Sequence, residues 1–381
     1  MQIYFDSIFT AESDRRKEKI MQYNKKVDFH SHFLTETYLK YLQEYEDPNP
    51  DGFPTPLWSV KEHIQEMDSL GIAFAFISVS SPNLSGADRE TEIRMVRSIN
   101  TEGAELVSAH SDRLGLFASL PLPHVEAAIE EAAYALDELQ ADGFGLSTHY
   151  AGVYLGSKDY DPLMEFLNNR SAVVAVHPVT PAKLPQGAND ELPIPAMEFL
   201  MDTTRTFTNM VMHDIFGRFP KIKWVFPHAG SFISILSDRM SAFSIQFKGN
   251  MKQEYPLDFK GDMRHVWFDL AGFPLNKQIH DLLLDIEPEN LLYGSDSPYT
   301  PKIACTAQAG GLENTELLSD EDKEKMFTLN AVGLVPRLAD ILQVKPDGSP
   351  VNYANRKLSL KEKWRRFVCS AISKLYGAII H

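Results

Sequence analysis

The chain has 381 residues, of which 44% are hydrophobic, so it can bury a large core and is not a disordered protein. Its formal net charge of -15 at pH 7 argues against nucleic acid as a partner and favours a small soluble substrate. The two cysteines, Cys305 and Cys369, are far apart in the sequence, which excludes a disulfide framework or a cysteine-rich zinc module and suits the reducing cytoplasm.

Predicted strands and helices alternate along most of the chain. The amino-terminal segment lacks the unbroken apolar core of a signal peptide, and no apolar run approaches the ~20 residues that cross a membrane. Apolar residues spaced by three or four predict helices, for example over Val60–Leu70 and Val125–Leu139. Eight short apolar runs predict strands at Val27–His32, Ala73–Val79, Leu114–Leu120, Gly143–Ser147, Ala172–His177, Lys223–His228, His265–Leu270 and Leu291–Ser295.

This alternation predicts an α/β fold whose parallel strands are buried on both faces. Eight strand–helix units favour a closed (β/α)8 TIM-like barrel, and a doubly wound open sheet is the alternative. We expect one barrel domain over residues 1–345, including an amino-terminal extension, and a linker with an amphipathic helical tail over residues 346–381. In such a barrel the active site lies at the carboxyl ends of the strands.

Side chains that bind metals or transfer protons occur at the ends of four predicted strands. The first strand ends in His30 and His32, and the fifth ends in His177. The sixth ends in His228, and the eighth delivers Asp296. Taken singly, these could be core histidines, a helix cap or a turn residue. Imidazole and carboxylate together are common ligands of zinc and similar ions, so their joint placement predicts a metal site.

Four further side chains follow strand ends and are expected to line a substrate pocket. Phe33 follows the first predicted strand, and Ser80 follows the second. His149 follows the fourth strand, and Phe273 follows the seventh. All four should face the mouth of the barrel, where the loops after the strands form the site.

The ordered motifs HSH, VHP, PHAG and GSDSP resemble those of the metal-dependent decarboxylase branch of the amidohydrolase superfamily, over residues 26 to 342. The segments WSVKEHIQEMDSLGI, FASLPLP and DTTRT look most like 6-methylsalicylate decarboxylases and, more distantly, aminocarboxymuconate-semialdehyde and γ-resorcylate decarboxylases. The resemblance implies that His30, His32, His177 and Asp296 hold one divalent ion, zinc by preference and manganese as the alternative. It also implies that His228 stands beside the ion as an acid or base.

The resemblance further implies a homodimer or larger homo-oligomer. In similar semialdehyde decarboxylases, an arginine at the spacing of Arg239, eleven residues after His228, enters a neighbouring subunit's site to meet substrate carboxylate. The simpler interpretation of Arg239 is a solvated residue on a helix. The chain departs from the γ-resorcylate type, which has glutamates where His30 and Ser231 stand here. It also lacks the basic residues that precede the equivalent of Trp58 in the semialdehyde enzymes, which makes a linear dicarboxylate a less suitable substrate.

These features predict non-oxidative decarboxylation of a small ortho-hydroxy aromatic acid such as 6-methylsalicylate. His228 or Asp296 would protonate the ring carbon that loses carbon dioxide. The alternative is a metal-dependent hydrolase of a lactone, amide or ester, in which the ion activates water. A barrel that binds metal or ligand without turnover is a third reading. Because the fifth strand ends in His177, without the lysine that bridges two metals in the large hydrolase branch, we expect one ion.

The carboxyl-terminal tail has a separate pattern. From Leu358 onwards, apolar residues recur at helical spacing and basic residues occupy positions between them. Packing against the barrel or a neighbouring subunit is the simpler interpretation of this segment. Contact with an anionic membrane surface is the other.

Overall fold

The computed structural model describes residues 23–47, 49–188, 190–246 and 258–344. Most of the expected amino-terminal extension and the whole of the expected helical tail therefore lie outside the described residues. Within the described ranges, no helix is both long and apolar enough to cross a membrane.

Eight parallel strands form one sheet in the order β1-β2-β3-β4-β7-β8-β9-β10. Each strand of this sheet pairs with the next one along the chain, apart from the short hairpin β5–β6, which is antiparallel and stands apart. The strands are β1 Lys26–His32, β2 Ile72–Ser78, β3 Leu114–Ala118, β4 Gly143–Ser147, β5 His149–Tyr150, β6 Val153–Tyr154, β7 Val173–His177, β8 Lys223–Phe226, β9 Trp267–Asp269 and β10 Leu291–Leu292.

Backbone pairing between the first strand and the last closes the sheet into a barrel. Asp28 pairs in parallel with Tyr293, and the amide of Asp296 donates to the carbonyl of His30 at 2.7 Å. The predicted (β/α)8 barrel is therefore confirmed, and each of the eight predicted strands overlaps one observed strand.

Helices follow the barrel strands along the chain. The helix predicted over Val60–Leu70 begins and ends at those residues, because the Ser59 side chain caps its first turn and Gly71, with a φ of 70°, terminates it. The helices are α1 Glu36–Tyr45, α2 Val60–Leu70, α3 Arg89–Ala109, α4 Val125–Asp137, α5 Asp161–Asn169, α6 Glu198–Met212, α7 Ile215–Arg218, α8 Ile233–Gln246, α9 Phe259–Met263, α10 Lys277–Leu283, α11 Lys302–Asn314, α12 Asp320–Glu324, α13 Asn330–Leu334 and α14 Leu338–Leu342.

Apolar side chains fill the amino-terminal end of the barrel and leave its carboxyl-terminal end to polar groups. The rings of Phe29, Phe76 and Phe117 pack together there, with centroid separations from 4.6 to 5.6 Å. Buried residues of α13 and α14, including Leu334 and Leu338, belong to the same cluster and cover this end. The barrel is therefore a packed core at one end, and a site can form only at the other.

The first strand changes its facing direction just before the histidine pair. Its pairing with β2 shifts register between Asp28 and Ser31. Phe29 packs with the interior phenylalanines, and the next residue, His30, also faces the interior, where its ring lies 5.3 Å from that of His177. A β-bulge of this kind lets two consecutive residues share one face, so the strand contributes both to the core and to the site above it.

Candidate metal centre and active site

Four side chains from three strand ends converge at the carboxyl-terminal mouth of the barrel. They are His30, His32, His177 and Asp296, and each offers one ligand atom within 4.8 Å of the other three. The three histidines are buried, and the side chain of Asp296 is 17% exposed. One oxygen of Asp296 lies 3.5 Å from His30 Nε2 and 3.3 Å from His32 Nε2. The structure thus brings together the four ligands that the sequence motifs suggested.

The outer nitrogen of each ring is held by an oxygen that can only accept a hydrogen bond. His30 Nδ1 lies 2.9 Å from Asp269 Oδ2, and His32 Nδ1 lies 3.3 Å from the carbonyl of Ser78. His177 Nδ1 lies 2.7 Å from the carbonyl of Pro178. Each Nδ1 is therefore placed to donate a proton to that oxygen, which directs Nε2 towards the centre of the cluster.

The inward-facing Nε2 atoms show whether a divalent ion would fit this cluster. Within the described part of the chain, Nε2 of His30 and of His32 is buried without a hydrogen-bond partner. Buried polar atoms are rarely left unpaired unless a ligand, ion or water satisfies them. Three imidazole nitrogens with one carboxylate oxygen, each ring oriented from behind, form a ligand set that suits zinc and related ions.

The neighbouring histidines and burial shift the pKa values of the cluster. Burial disfavours its ionised form, but His228, His30 and His32 outweigh burial and hold the pKa of Asp296 well below its usual range. Burial, with His32 and His30 nearby, holds the pKa of His177 well below its ordinary value. Asp296 is therefore ionised and His177 neutral, which are the states required of metal ligands. Burial lowers the pKa of His30, but Asp269 and Asp296 outweigh burial and hold it well above its ordinary value, so an ion bound at Nε2 would displace a proton there.

The carboxylate of Asp296 is fixed by the turn that contains it. Strand β10 ends at Leu292, and Asp296 has a φ of 61°, in the left-handed region. The hydroxyl of Thr300 donates to Asp296 Oδ2 at 3.1 Å, and the other oxygen faces the histidines. Non-glycine residues held in this region are often found at functional sites, where the surrounding structure enforces them.

His228 lies beside the four ligands in a tight turn. The predicted sixth strand was too long at this point, since β8 ends at Phe226 and His228 begins a short 3-10 turn with a φ of 56°. Its Nε2 is 3.9 Å from Asp296 Oδ2, and its ring centroid is 5.1 Å from that of His30. Gln278 Nε2 donates to the His228 carbonyl at 3.2 Å. The structure therefore places His228 next to the cluster, within reach of a molecule bound to it.

Asp269 is one of two site residues that the sequence analysis missed. It is the last residue of β9 and is only 3% exposed. Besides its contact with His30, its Oδ1 accepts the amides of His228 and Ala271, each at 3.1 Å. Burial raises its pKa, but the histidines His30 and His228 outweigh burial, so the pKa is lowered. Its position at the end of the seventh predicted strand was the available signal.

Ser80 and Tyr299 lie on the side of the cluster formed by β2 and the last turn. Ser80 Oγ is 3.4 Å from His177 Nε2. The ring of Tyr299, which the sequence analysis did not single out, lies edge-on to His32 with centroids 5.6 Å apart. Its hydroxyl is buried and, among the described residues, makes no hydrogen bond of good geometry. Burial, with Asp51 and Asp296, raises the pKa of Tyr299, and the neighbouring hydroxyls of Tyr38 and Ser80 only partly offset this, so the phenol stays protonated and can donate a hydrogen bond.

Phe33 does not line the mouth as expected. Its ring is 1% exposed and packs against α3, where a Cβ atom on Gly103 would come within 3.1 Å of it. Successive residues of a strand face opposite sides, so once His32 faces the barrel interior, Phe33 must face the surrounding helices.

His149 and Phe273 both lie at strand ends, and each makes hydrogen bonds that fix its position. His149 Nε2 lies 3.0 Å from the carbonyl of Thr180, and its Nδ1 accepts the amide of Gly152. Phe273 is 47% exposed, and its amide donates to Gln308 Oε1 at 3.1 Å. His149 also lines a cavity of about 620 Å³ between the loops after β2 and β7 and the segment around Asp51, and none of the four candidate metal ligands lines it.

Arg239 lies on the exposed side of α8. Its guanidinium stacks over the ring of Phe243, 4.7 Å from the centroid. Ile235, one turn earlier on the same helix, is 54% exposed. Residues at these spacings share one helix face, so Arg239 belongs to an exposed stripe that is partly apolar.

Curated relatives of this chain are decarboxylases. The decarboxylase macB of Penicillium terrestre is 32% identical over 328 residues, which are 82% of this chain and 95% of that protein. The 6-methylsalicylic acid decarboxylase of Penicillium expansum is 28% identical over 324 residues, which are 83% of this chain and 98% of that protein.

Solved structures share the barrel. An amidohydrolase II crystal structure is 37% identical with a TM-score of 0.78, over 82% of this chain and 100% of that one. A dihydroxybenzoic acid decarboxylase from Polaromonas sp. JS666, solved with manganese and the inhibitor 2-nitroresorcinol, shares the fold with a TM-score of 0.70 at 22% identity, over 82% and 97% of the chains. The amidohydrolase family model matches residues 27–337. This chain therefore belongs to the amidohydrolase family.

Proposed function

We propose that this protein is a metal-dependent, non-oxidative decarboxylase of a small ortho-hydroxy aromatic acid, with 6-methylsalicylate as the best single candidate. The observation that carries the proposal is the set of three Nε2 atoms and one carboxylate that converge at the barrel mouth beside His228. The decarboxylases among its relatives support the same class of reaction. No nicotinamide, flavin or pyridoxal group is called for, because the ring carbon keeps its electrons and gains a proton.

His30, His32, His177 and Asp296 would hold one divalent ion. Such an ion, when bound, acts as a Lewis acid and a template for the carboxylate and the neighbouring phenolate of the substrate. The nitrogen-rich ligand set favours zinc, with manganese as the alternative. The three imidazoles are buried, and electrostatic contacts between such buried groups and an ionised acid are stronger than in water.

We assign the proton transfer to His228 in preference to Asp296. The ring carbon first takes a proton from His228. The bond between the ring carbon and the carboxyl carbon then breaks, its electron pair returns to the ring, and carbon dioxide leaves. Asp296 is a poorer donor, because one oxygen faces His30 and His32 and the other accepts a hydrogen bond from Thr300. His228 has a buried nitrogen, Nδ1, that has no hydrogen-bond partner in the described part of the chain, so this nitrogen is not engaged by another group.

Ser80 and Tyr299 are proposed to bind the polar atoms of the acid. Both hydroxyls lie beside metal-ligand histidines, and the Tyr299 hydroxyl makes no hydrogen bond of good geometry among the described residues. A hydrogen bond from a buried hydroxyl to an ionised carboxylate contributes about 1.5–3 kcal/mol. Phe273 is proposed to cover the ring from the loop after β9, and His149 to shape the cavity that it lines.

A homodimer or larger homo-oligomer, located in the cytoplasm, completes the proposal. Arg239 would reach the site of a neighbouring subunit and meet the substrate carboxylate there. The exposed stripe that contains Ile235, Arg239 and Phe243 on α8 is a suitable contact surface, since apolar and arginine side chains are favoured at interfaces.

A substrate panel in heavy water tests the reaction. Metal-loaded enzyme is incubated with salicylates, with para-hydroxy isomers that cannot chelate, and with lactones, amides and esters. We expect an ortho-hydroxy acid to give the phenol with one deuterium on the carbon that carried the carboxylate, and the para-hydroxy isomers to react poorly. Hydrolysis of a lactone, amide or ester, with every acid inert, would show instead that the ion activates water.

A further inference from the structure

The two oxygens of the Asp269 carboxylate serve two different parts of the site. Oδ2 lies 2.9 Å from Nδ1 of His30. Oδ1 accepts the amide of His228, at the start of the turn after β8, and the amide of Ala271 in the loop after β9. With 3% exposure, Asp269 is shielded from water, so these bonds are not in exchange with solvent.

His30 differs from the other two histidines in how its outer nitrogen is held. His32 and His177 donate from Nδ1 to the carbonyl oxygens of Ser78 and Pro178, which any residue at those positions would supply. His32 Nδ1 also lies 3.3 Å from the hydroxyl of Ser78, and among the three histidines His30 alone has a carboxylate, that of Asp269, at its Nδ1. A carboxylate behind a ligand histidine fixes its tautomer and makes the ligand nitrogen more basic than a carbonyl does.

From these contacts we infer that Asp269 is a positioning residue that couples the metal ligand His30 to the acid–base residue His228. One oxygen of its carboxylate keeps the proton of His30 on Nδ1, so that Nε2 presents a lone pair to the ion. The other oxygen ties the His228 turn to the end of β9, so that the two imidazoles keep their separation. The inference rests on the metal centre of the proposed function, but its main readout is metal binding and needs no substrate.

Asp269→Asn separates the two contacts. An asparagine can keep its oxygen towards the two backbone amides, and its NH2 group then faces His30 Nδ1. Because NH2 can only donate, His30 must accept at Nδ1 and carry its proton on Nε2, where it blocks the ion. The reversed amide would instead direct NH2 at the amides of His228 and Ala271. Either orientation loses a bond that the carboxylate makes.

Asp28→Asn is the matched control. Asp28 is also a buried carboxylate, with 1% exposure, and its Oδ1 accepts two backbone amides, those of His30 and Ser295. No contact of Asp28 with the ring of His30 is needed for these bonds, and an asparagine oxygen can replace that acceptor. The two variants therefore share the chemical change and the depth of burial, and they differ in whether an imidazole proton is held.

Metal affinity is measured for the wild type and both variants by competition with a chelator of known affinity, using zinc and manganese separately. We expect Asp269→Asn to weaken binding by about 10–100-fold, the usual effect of losing such a partner, and Asp28→Asn to change it by less than about threefold. Equal affinity of Asp269→Asn and wild type, or an equal loss in both variants, would overturn the assignment to His30.

Turnover at saturating metal tests the contact with His228. Asp269→Asn keeps an acceptor for the His228 amide and should retain most of its kcat once metal is saturating, whereas Asp269→Ala should lose kcat as well as affinity. If Asp269→Ala is well folded by circular dichroism and its kcat equals that of Asp269→Asn, the coupling to His228 is wrong. If the wild type binds the ion tightly yet decarboxylates no acid, the proposed function fails, while the affinity comparison still decides the role of Asp269.

Discussion

The ring of His228 and the backbone of Gly272 are in direct contact, so close that a Cβ atom at position 272 would lie 2.7 Å from His228 Cδ2. Gly272 also has a φ of 74°, which residues with a side chain adopt only at a cost. The position of the imidazole therefore depends on the absence of a side chain in the loop after β9, as well as on the hydrogen bonds around it.

Gly272→Ala should displace His228 and leave the metal ligands in place. We expect kcat to fall by about 100-fold, in the range for loss of a positioned acid–base group, while metal content stays near that of the wild type. Gly310→Ala in α11 is the control, because no atom lies within 4 Å of the added methyl group and alanine favours a helix. Parallel losses of metal and activity in Gly272→Ala would show a general collapse of the site.

His177→Ala should remove most of the bound metal. One of four protein ligands is lost, and a water in its place would hold the ion less tightly than the imidazole does. Metal analysis after dialysis should give near one equivalent for the wild type and a small fraction of that for the variant. His280→Ala, an exposed residue on α10, should retain full occupancy. If His177→Ala keeps its ion, the ligand assignment must be revised.

Tyr299→Phe should raise KM for the aromatic acid by about tenfold, with kcat changed less, because a hydrogen bond to a charged group is lost without a change in shape. Tyr293→Phe is the matched control. The Tyr293 hydroxyl is also buried without a partner in the described part of the chain, but its ring packs against Phe327. Unchanged steady-state constants in Tyr299→Phe would exclude the proposed contact with substrate.

Arg239→Ala and His228→Ala, each inactive alone, should regain activity when their subunits are exchanged. A mixed dimer contains one site that has both residues, so up to about half of its sites' activity can return if Arg239 acts across the interface. The measurement is turnover before and after mild dissociation and reassembly of the mixed subunits. If the Arg239→Ala variant is fully active, Arg239 does not act in the site of a neighbouring subunit.

Residues with a strong periodic pattern were predictable, and residues set by tertiary contacts were not. The amphipathic helix over Val60–Leu70 was predicted to the residue, because the Ser59 cap and Gly71 are local signals. The hairpin β5–β6, with only two residues in each strand, has no period long enough to detect. The predicted sixth strand included His228, although Pro227 and the left-handed backbone beyond it end the strand at Phe226.

The candidate ligands were identifiable because rare residue types recurred at strand ends. Asp269 occurs at such an end too, but one aspartate before a turn looks the same in sequence whether it faces solvent or a histidine. Phe33 is buried because of the direction in which the side chains of β1 point, and the register shift near Asp28 changes that direction. Tyr299 could not be chosen from the sequence either, since its significance is the unmet hydrogen-bonding capacity of one buried atom.

The backbone pairing between β1 and the segment after β10, which closes the barrel, also determines when the site can form during protein synthesis. His30 is on the first strand and Asp296 follows the last, and their backbones are joined by one hydrogen bond in this pairing. A ribosome releases the histidine pair early and the aspartate only after the seven further strands of the barrel, so a nascent chain carries His30 and His32 without Asp296 for most of its synthesis. A divalent ion could therefore bind all four residues only after the barrel has closed. Once bound, it would link the first strand of the domain to the turn after the last one. Truncated chains that stop before β10 should therefore leave the ribosome without a functional centre, however well their earlier strands have formed.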